Sequence, residues 1–197
     1  MLGVTRQTIV NDDLGFISEL SPMMGNAAGR SLLDLIWSSI LGAQTANWFS
    51  AGNGNLATTS SQLTVANLGT AVAAMRSQRD TQGFDLSIEP AVLVVCPDLE
   101  LTARALLNSS ELLGTDGVNG NPVQGIVKNL IVEPRLSNST RFTGTSATQW
   151  YLFAAPMARP ITVGFLRGAQ NPTVETADAD FNTLGIQMRV FHDYGVA

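Results

Sequence analysis

Ser21-Pro22-Met23-Met24-Gly25-Asn26-Ala27-Ala28-Gly29-Arg30-Ser31-Leu32-Leu33-Asp34-Leu35-Ile36-Trp37-Ser38-Ser39-Ile40-Leu41 is the stretch whose pattern decides the architecture. A serine can accept from free N–H groups, and a proline at the first helical position gives up an N–H that would be unpaired anyway. The spacing predicts a helix over 22–41, stopped at Gly42. Met24, Ala27, Ala28, Leu32, Leu35, Ile36 and Ile40 recur at i, i+3/i+4, and Leu33, Trp37 and Leu41 widen the stripe. At ~1.5 Å per residue this helix is about 30 Å long. Being apolar on more than one side, it must pack against more than one surface.

Upstream, Thr5-Arg6-Gln7-Thr8-Ile9-Val10-Asn11-Asp12-Asp13 reads as an extended run ending in a turn. Downstream, Gly52-Asn53-Gly54-Asn55 and Thr58-Thr59-Ser60-Ser61 form a polar loop. Thr64 is placed to cap a second helix, Val65 to about Gln78, with Leu68, Val72 and Met75 on one face; Thr81-Gln82-Gly83 breaks it. Ala91-Val92-Leu93-Val94-Val95-Cys96, bounded by Pro90 and Pro97, is a continuous apolar run and predicts a strand covered on both faces. Asp98 then caps a helix to Asn108 with Leu99, Ala103, Leu106 and Leu107 inward. A glycine-rich loop is expected over 109–123, and strands over 126–133, 149–154, 161–167, 173–176 and 185–194. Helices first and strands later make an α+β chain without the regular βαβ alternation of a doubly wound nucleotide-binding fold.

The 197 residues suffice for one large domain or two small ones, burying about 70% of the unfolded surface. Eleven basic residues against 16 acidic ones leave a net charge of −5, which argues against a general nucleic-acid binder. One cysteine excludes a disulfide framework, and one histidine beside it nearly excludes a His/Cys zinc site. No run approaches the length of a membrane span, and the first residues lack the features of a signal peptide. Charged residues make up only 14% of the chain, against about 25% in an average soluble domain. Polarity comes instead from Ser, Thr, Asn and Gln, and Lys128 is the single lysine. Such a neutral surface suits a subunit that buries much of its exterior against neighbours, because interface cores are depleted in charge.

Reactive constellations are scarce. There is no GxxxxGK[ST] and no GxSxG, and Gly114-Thr115-Asp116-Gly117-Val118-Asn119-Gly120 lacks GxGxxG spacing. His192 beside Asp193 suggests a hydrolase dyad, but neighbours in a strand point to opposite faces, so a structural histidine is the preferred reading. Cys96 sits in the most apolar strand and behaves as a small hydrophobe. Asp12-Asp13 and Asp178-Asp180 lack the ligand number of a calcium site. Trp37, Trp48 and Trp150 carry no basic interleaving for base stacking. No catalytic residue, metal or cofactor is expected.

The order of segments carries a resemblance. TRQTIVNDDLG leads into MMGNAAGRSLLDLIWSSIL and FSAGNGNLAT; then follow PAVLVVCPDLELTARALL, NPVQGIVKNLIVEPRL, WYLFAAP and ITVGFLRGAQNPTVETADADFNTLGIQMRVFHDYGVA. Together they resemble the major head (capsid) subunits of Mu-like prophages, over nearly the whole chain. Relatives often carry an acidic-histidine loop where this chain has Ser50-Ala51-Gly52-Asn53-Gly54-Asn55-Leu56, so no ion role is assigned there. The resemblance implies the Hong Kong 97-type capsid fold. Residues 1–62 would open the peripheral P domain with its spine helix 22–41, 63–155 would form the axial A domain, and 156–197 would return as P-domain strands. The family's N-terminal arm and E-loop hairpin would precede the point where this chain starts.

The implied role is a non-enzymatic shell subunit. It would assemble with copies of itself into pentamers and hexamers of an icosahedral head, in the bacterial host cytoplasm. The shell would enclose double-stranded DNA without base readout, with scaffold, portal or decoration proteins as further partners and no membrane. Interface positions expected on this view are Arg30, Asp34 and Trp37 on the spine, and Glu111, Asp116 and Asn119 on the axial loop. Competing readings are an encapsulin-like nanocompartment shell of the same fold and a hydrolase using the His192/Asp193 dyad.

Overall fold

A computed structural model describes residues 2–11, 15–41, 48–57, 62–114, 117–155, 161–178 and 185–196. The chain divides into two compact units. Met1–Ile36 joins Ile161–Ala197 in the first, and Trp37–Pro160 forms the second.

The first unit begins with strand β1 (Leu2–Thr5) and a short helix α1 (Arg6–Val10). The expected extended run over Thr5–Asn11 is therefore corrected: the chain turns helical once Leu2–Thr5 have paired with β9, and Asn11 N–H donates to Gln7 C=O at 3.1 Å. Helix α2 spans Phe16–Leu41, its residues from Trp37 on belonging to the second unit, and starts earlier than Ser21-Pro22 suggests. Gly15 at φ +66° makes the entry, with Ser18 N–H donating to its carbonyl. Pro22 thus lies inside the helix, where its missing N–H costs one ladder bond. Burial of Leu20, only 7% exposed, offsets that loss and outweighs the local start signal. At 26 residues the helix is about 39 Å long; the expected stop at Gly42 lies outside the described residues.

The last segment adds β7 (Val163–Phe165), β8 (Thr173–Asp178), β9 (Gly185–Phe191) and β10 (Tyr194–Val196). These build an antiparallel sheet in the order β1-β9-β8 and a separate β10-β7 pair. The expected single strand over 185–194 is corrected: the chain leaves one sheet at Phe191 and enters the other at Tyr194, with His192-Asp193 as the crossing. Asp193 C=O accepts from Leu166 N–H at 3.1 Å, fixing that crossing against the end of β7. Ile186, Met188 and Val190 alternate with Gln187 and Arg189 along β9, as a sheet with one half-buried face requires.

The second unit is built around β2 (Pro90–Val95), which pairs in parallel with β5 (Asn129–Val132) and antiparallel with β6 (Trp150–Ala154). Both faces of β2 are covered, as its unbroken apolar run implies: Leu93 and Val95 are 0% exposed and Val94 is 3% exposed. Leu93 and Val95 meet helices α3 (Val65–Arg76) and α4 (Glu100–Asn108) through Leu68, Val72, Ala103, Leu106 and Leu107. Thr64 caps α3, its Oγ1 accepting from Asn67 N–H at 3.2 Å. Asp98 does not cap α4. Pro97–Leu99 makes a 3-10 turn first, because Pro97 starts one where its own missing N–H costs nothing, and the α-helix follows from Glu100.

The expected loop over 109–123 contains a hairpin, β3 (Glu111–Gly114) paired with β4 (Gly117–Gly120). Asn121 closes its base, with Nδ2 donating to Leu106 C=O at 2.7 Å and Ser109 C=O at 2.8 Å. On the opposite face of the β5-β2-β6 sheet, Tyr151 lies 6.3 Å from the Trp37 ring, 5.4 Å from Phe49 and 6.2 Å from Phe153.

Candidate functional site

Among the described residues, the ionisable and nucleophilic groups singled out from the sequence do not converge on a cleft. Neither ring nitrogen of His192 has a hydrogen-bond partner. The imidazole is stacked 5.5 Å from Phe165 and meets the Tyr194 ring edge-on at 4.8 Å. A dyad needs Asp193 bonded to one nitrogen and a hydroxyl or water within reach of the other, and this arrangement supplies neither bond. The depression beside His192, bordered by Asn171, Thr173 and Asp193, has a volume of about 30 Å³. That is room for roughly one water, not for a metabolite. Cys96 is fully buried, its Sγ donating to Ala147 C=O at 2.9 Å. Asp12, Asp13 and Asp180 lie outside the described residues, among which no three or more His, Cys, Asp or Glu come together as a metal site.

Exposed apolar side chains lie along the long helix. Along α2, Met23, Ala27, Arg30 and Asp34 fall at i, i+4, i+7 and i+11 and so share one face. Met23 is 54% exposed, and Leu33 at 46% flanks the same stripe. Leu35, at 39%, lies on another side of the helix. The two-sided apolar character read from the sequence therefore survives as two exposed strips. Arg30 is exposed and Asp34 half-buried, one turn apart. Trp37 is different: it is 8% exposed and spent on its own chain against Tyr151. On the hairpin, Glu111 and Asn119 are both exposed, and Asp116 lies outside the described residues.

Burial is distributed unevenly. Among the described residues, Leu20 and Met188 are the buried apolar side chains of the first unit, whereas the second holds a continuous core from Leu63 to Val127. Exposed large apolar side chains occur in both units: Val10 (73%), Leu166 (60%) and Phe191 (43%) besides the α2 residues in the first, and Leu101 (82%), Phe84 (68%), Ile131, Leu56 and Leu86 in the second. Segments totalling fewer than about 80 residues rarely stabilise themselves on a single small core. A family model described as phage capsid protein matches residues 1–197. The chain belongs to a phage capsid protein family. No curated protein and no solved structure matches it. A capsid protein is a structural subunit, and the α+β architecture of this one is compatible with a phage capsid fold. No helix among the described residues is long and apolar enough to cross a membrane.

Sequence reading named Arg30 and Asp34 but missed Met23, Leu33, Leu166 and Phe191 as surface. The signal was present in the width of the α2 stripe, where more apolar residues occur than one packing face can cover.

Proposed function

We propose that this protein is the major head subunit of a Mu-like tailed phage or prophage, with the Hong Kong 97-type fold. Residues 1–62 and 156–197 would be the peripheral domain carrying the spine helix α2, and 63–155 the axial domain carrying the β3–β4 hairpin. Copies associate into pentamers and hexamers of an icosahedral shell around double-stranded DNA. The observation that carries this reading is that, among the described residues, the first unit buries few apolar side chains, Leu20 and Met188, while α2 exposes Met23, Leu33 and Leu35. Such a unit gains burial by meeting neighbours, and ring closure needs two different complementary patches on each copy. The exposed strips of α2 provide candidates. The net charge of −5 keeps attraction to packaged DNA weak, so that DNA is retained mechanically.

Sedimentation of the full chain with electron microscopy tests the proposal. Concentration-dependent oligomers containing five- or six-membered rings are expected; a monomer at every concentration would refute it. Arg30→Glu should alter the oligomer distribution while leaving thermal unfolding nearly unchanged, since Arg30 is exposed on α2; Asp34→Arg, at a half-buried position, should alter it too. If both variants assemble like the parent, the spine interface is misplaced.

A further inference from the structure

The first unit's antiparallel sheet ends in β8, whose one strand partner among the described residues is β9. Its register with β9 runs without a bulge from Thr173↔Phe191 to Asp178↔Ile186. All its residues except Val174 are exposed. An outer strand presents a row of main-chain N–H and C=O groups, and proteins that must stay single guard it with lysine, proline or a bulge. Thr173-Val174-Glu175-Thr176-Ala177-Asp178 has none of these. The one charge in mid-strand, Glu175, forms an exposed ion pair with Arg189 of β9, whose Nη2 lies 2.5 Å from its carboxylate, and so guards the edge only in part.

Resting on the capsid reading above, we infer that β8 is an assembly edge that pairs with β8 of a second copy across a two-fold axis. Antiparallel pairing across such an axis keeps each face of the sheet continuous only when a residue faces itself or one an even number away. Centring the axis on Thr176 sets Thr176 opposite Thr176, Glu175 opposite Ala177 and Val174 opposite Asp178. No like charges oppose, and the Thr–Thr pair is favourable. Centring it on Glu175 instead puts two carboxylates face to face, which selects against that slip. Axes further along the strand leave fewer β8 residues paired. The contact is isologous, the kind that links one ring of subunits to the next, and is distinct from the heterologous contacts that close a ring.

The test uses the full chain with Thr176→Cys or Val174→Cys under mild oxidation; the native Cys96 is fully buried. The two-fold register predicts a covalent dimer of T176C forming at least tenfold faster than that of V174C, whose cysteines would be four residues out of line. Equal rates, or no dimer from T176C, overturn it. In parallel, Thr176→Lys opposes two ammonium groups and should weaken self-association at least tenfold by sedimentation, with circular dichroism unchanged. If the parent self-associates yet T176K does so equally, the β8 pairing falls while the capsid reading stands. If the parent is monomeric throughout, both fall.

Discussion

The two units solve the same problem differently. The second closes a core on itself: Leu93, Val95, Leu68 and Ala103 are 0% exposed, and helices α3 and α4 cover one sheet face while an aromatic group lies on the other. The first has a long helix, a three-stranded sheet and a strand pair, yet buries little beyond Leu20 and Met188 among its described residues. Paired strands and helices occur in both. What differs is how much apolar surface leaves water, and that term dominates folding.

The largest expected effect separates them by truncation. Leu93→Ala removes a fully buried side chain from the centre of β2 and should cost about 2–5 kcal/mol in urea denaturation of the unassembled chain. Leu33→Ala, on exposed α2, should change the same measurement by less than about 0.5 kcal/mol and act on assembly instead. Similar losses for both would erase the distinction between the units.

Two glycines sharpen it at the next level. Gly144 has φ +77°, and a Cβ there would run into the Leu41 carbonyl oxygen of the second unit. Gly144→Ala combines backbone strain with overpacking, for a loss of at least ~2 kcal/mol. At Gly185 a Cβ would meet the Val4 carbonyl across the β1–β9 pairing. Gly185→Ala should release β1 at a cost of ~1–3 kcal/mol. Amide exchange would then rise in Leu2–Thr5 and leave β2 unaffected.

A smaller effect comes from alkali. Burial pushes the Tyr151 phenol up to about 12 from its ordinary 10.0, because the charged phenolate is poorly solvated there. The unfolded chain ionises first, so this contribution to stability is complete below about pH 10 and is lost as pH rises toward 12. Denaturation of the parent should weaken over that window more than that of Tyr151→Phe. Parallel curves would mean that the phenol is more open to water than the aromatic packing indicates.

Legibility in the sequence followed the same division. β2 was readable because an apolar run between prolines demands cover on both faces, and α3 and α4 because their buried residues keep helical spacing, although the cap read at Asp98 is replaced by the Pro97–Leu99 turn. In the first unit, local signals were overruled by partners distant in sequence. Ser21-Pro22 looked like a helix start until Leu20 found a buried site, and His192-Asp193 looked like strand interior although the chain changes sheets there. The hairpin at Glu111–Gly120 was hidden by its glycines, since Asn121 fastens its base through bonds to Leu106 and Ser109 that no local pattern announces. Arg30, charged within the apolar pattern of α2, is exposed, whereas Asp34 one turn on is half-buried. Trp37 was not identifiable as inward, because its ring partner lies on β6.

Hydrogen exchange of the full chain, followed residue by residue in dilute and in associated samples, tests the central claim most directly. The account predicts that amides of α2 and of β8–β9 exchange quickly when dilute and slow by at least tenfold on association, while β2 is protected equally in both. Protection of the first unit that matches β2 in dilute monomer, unchanged by concentration, would contradict it.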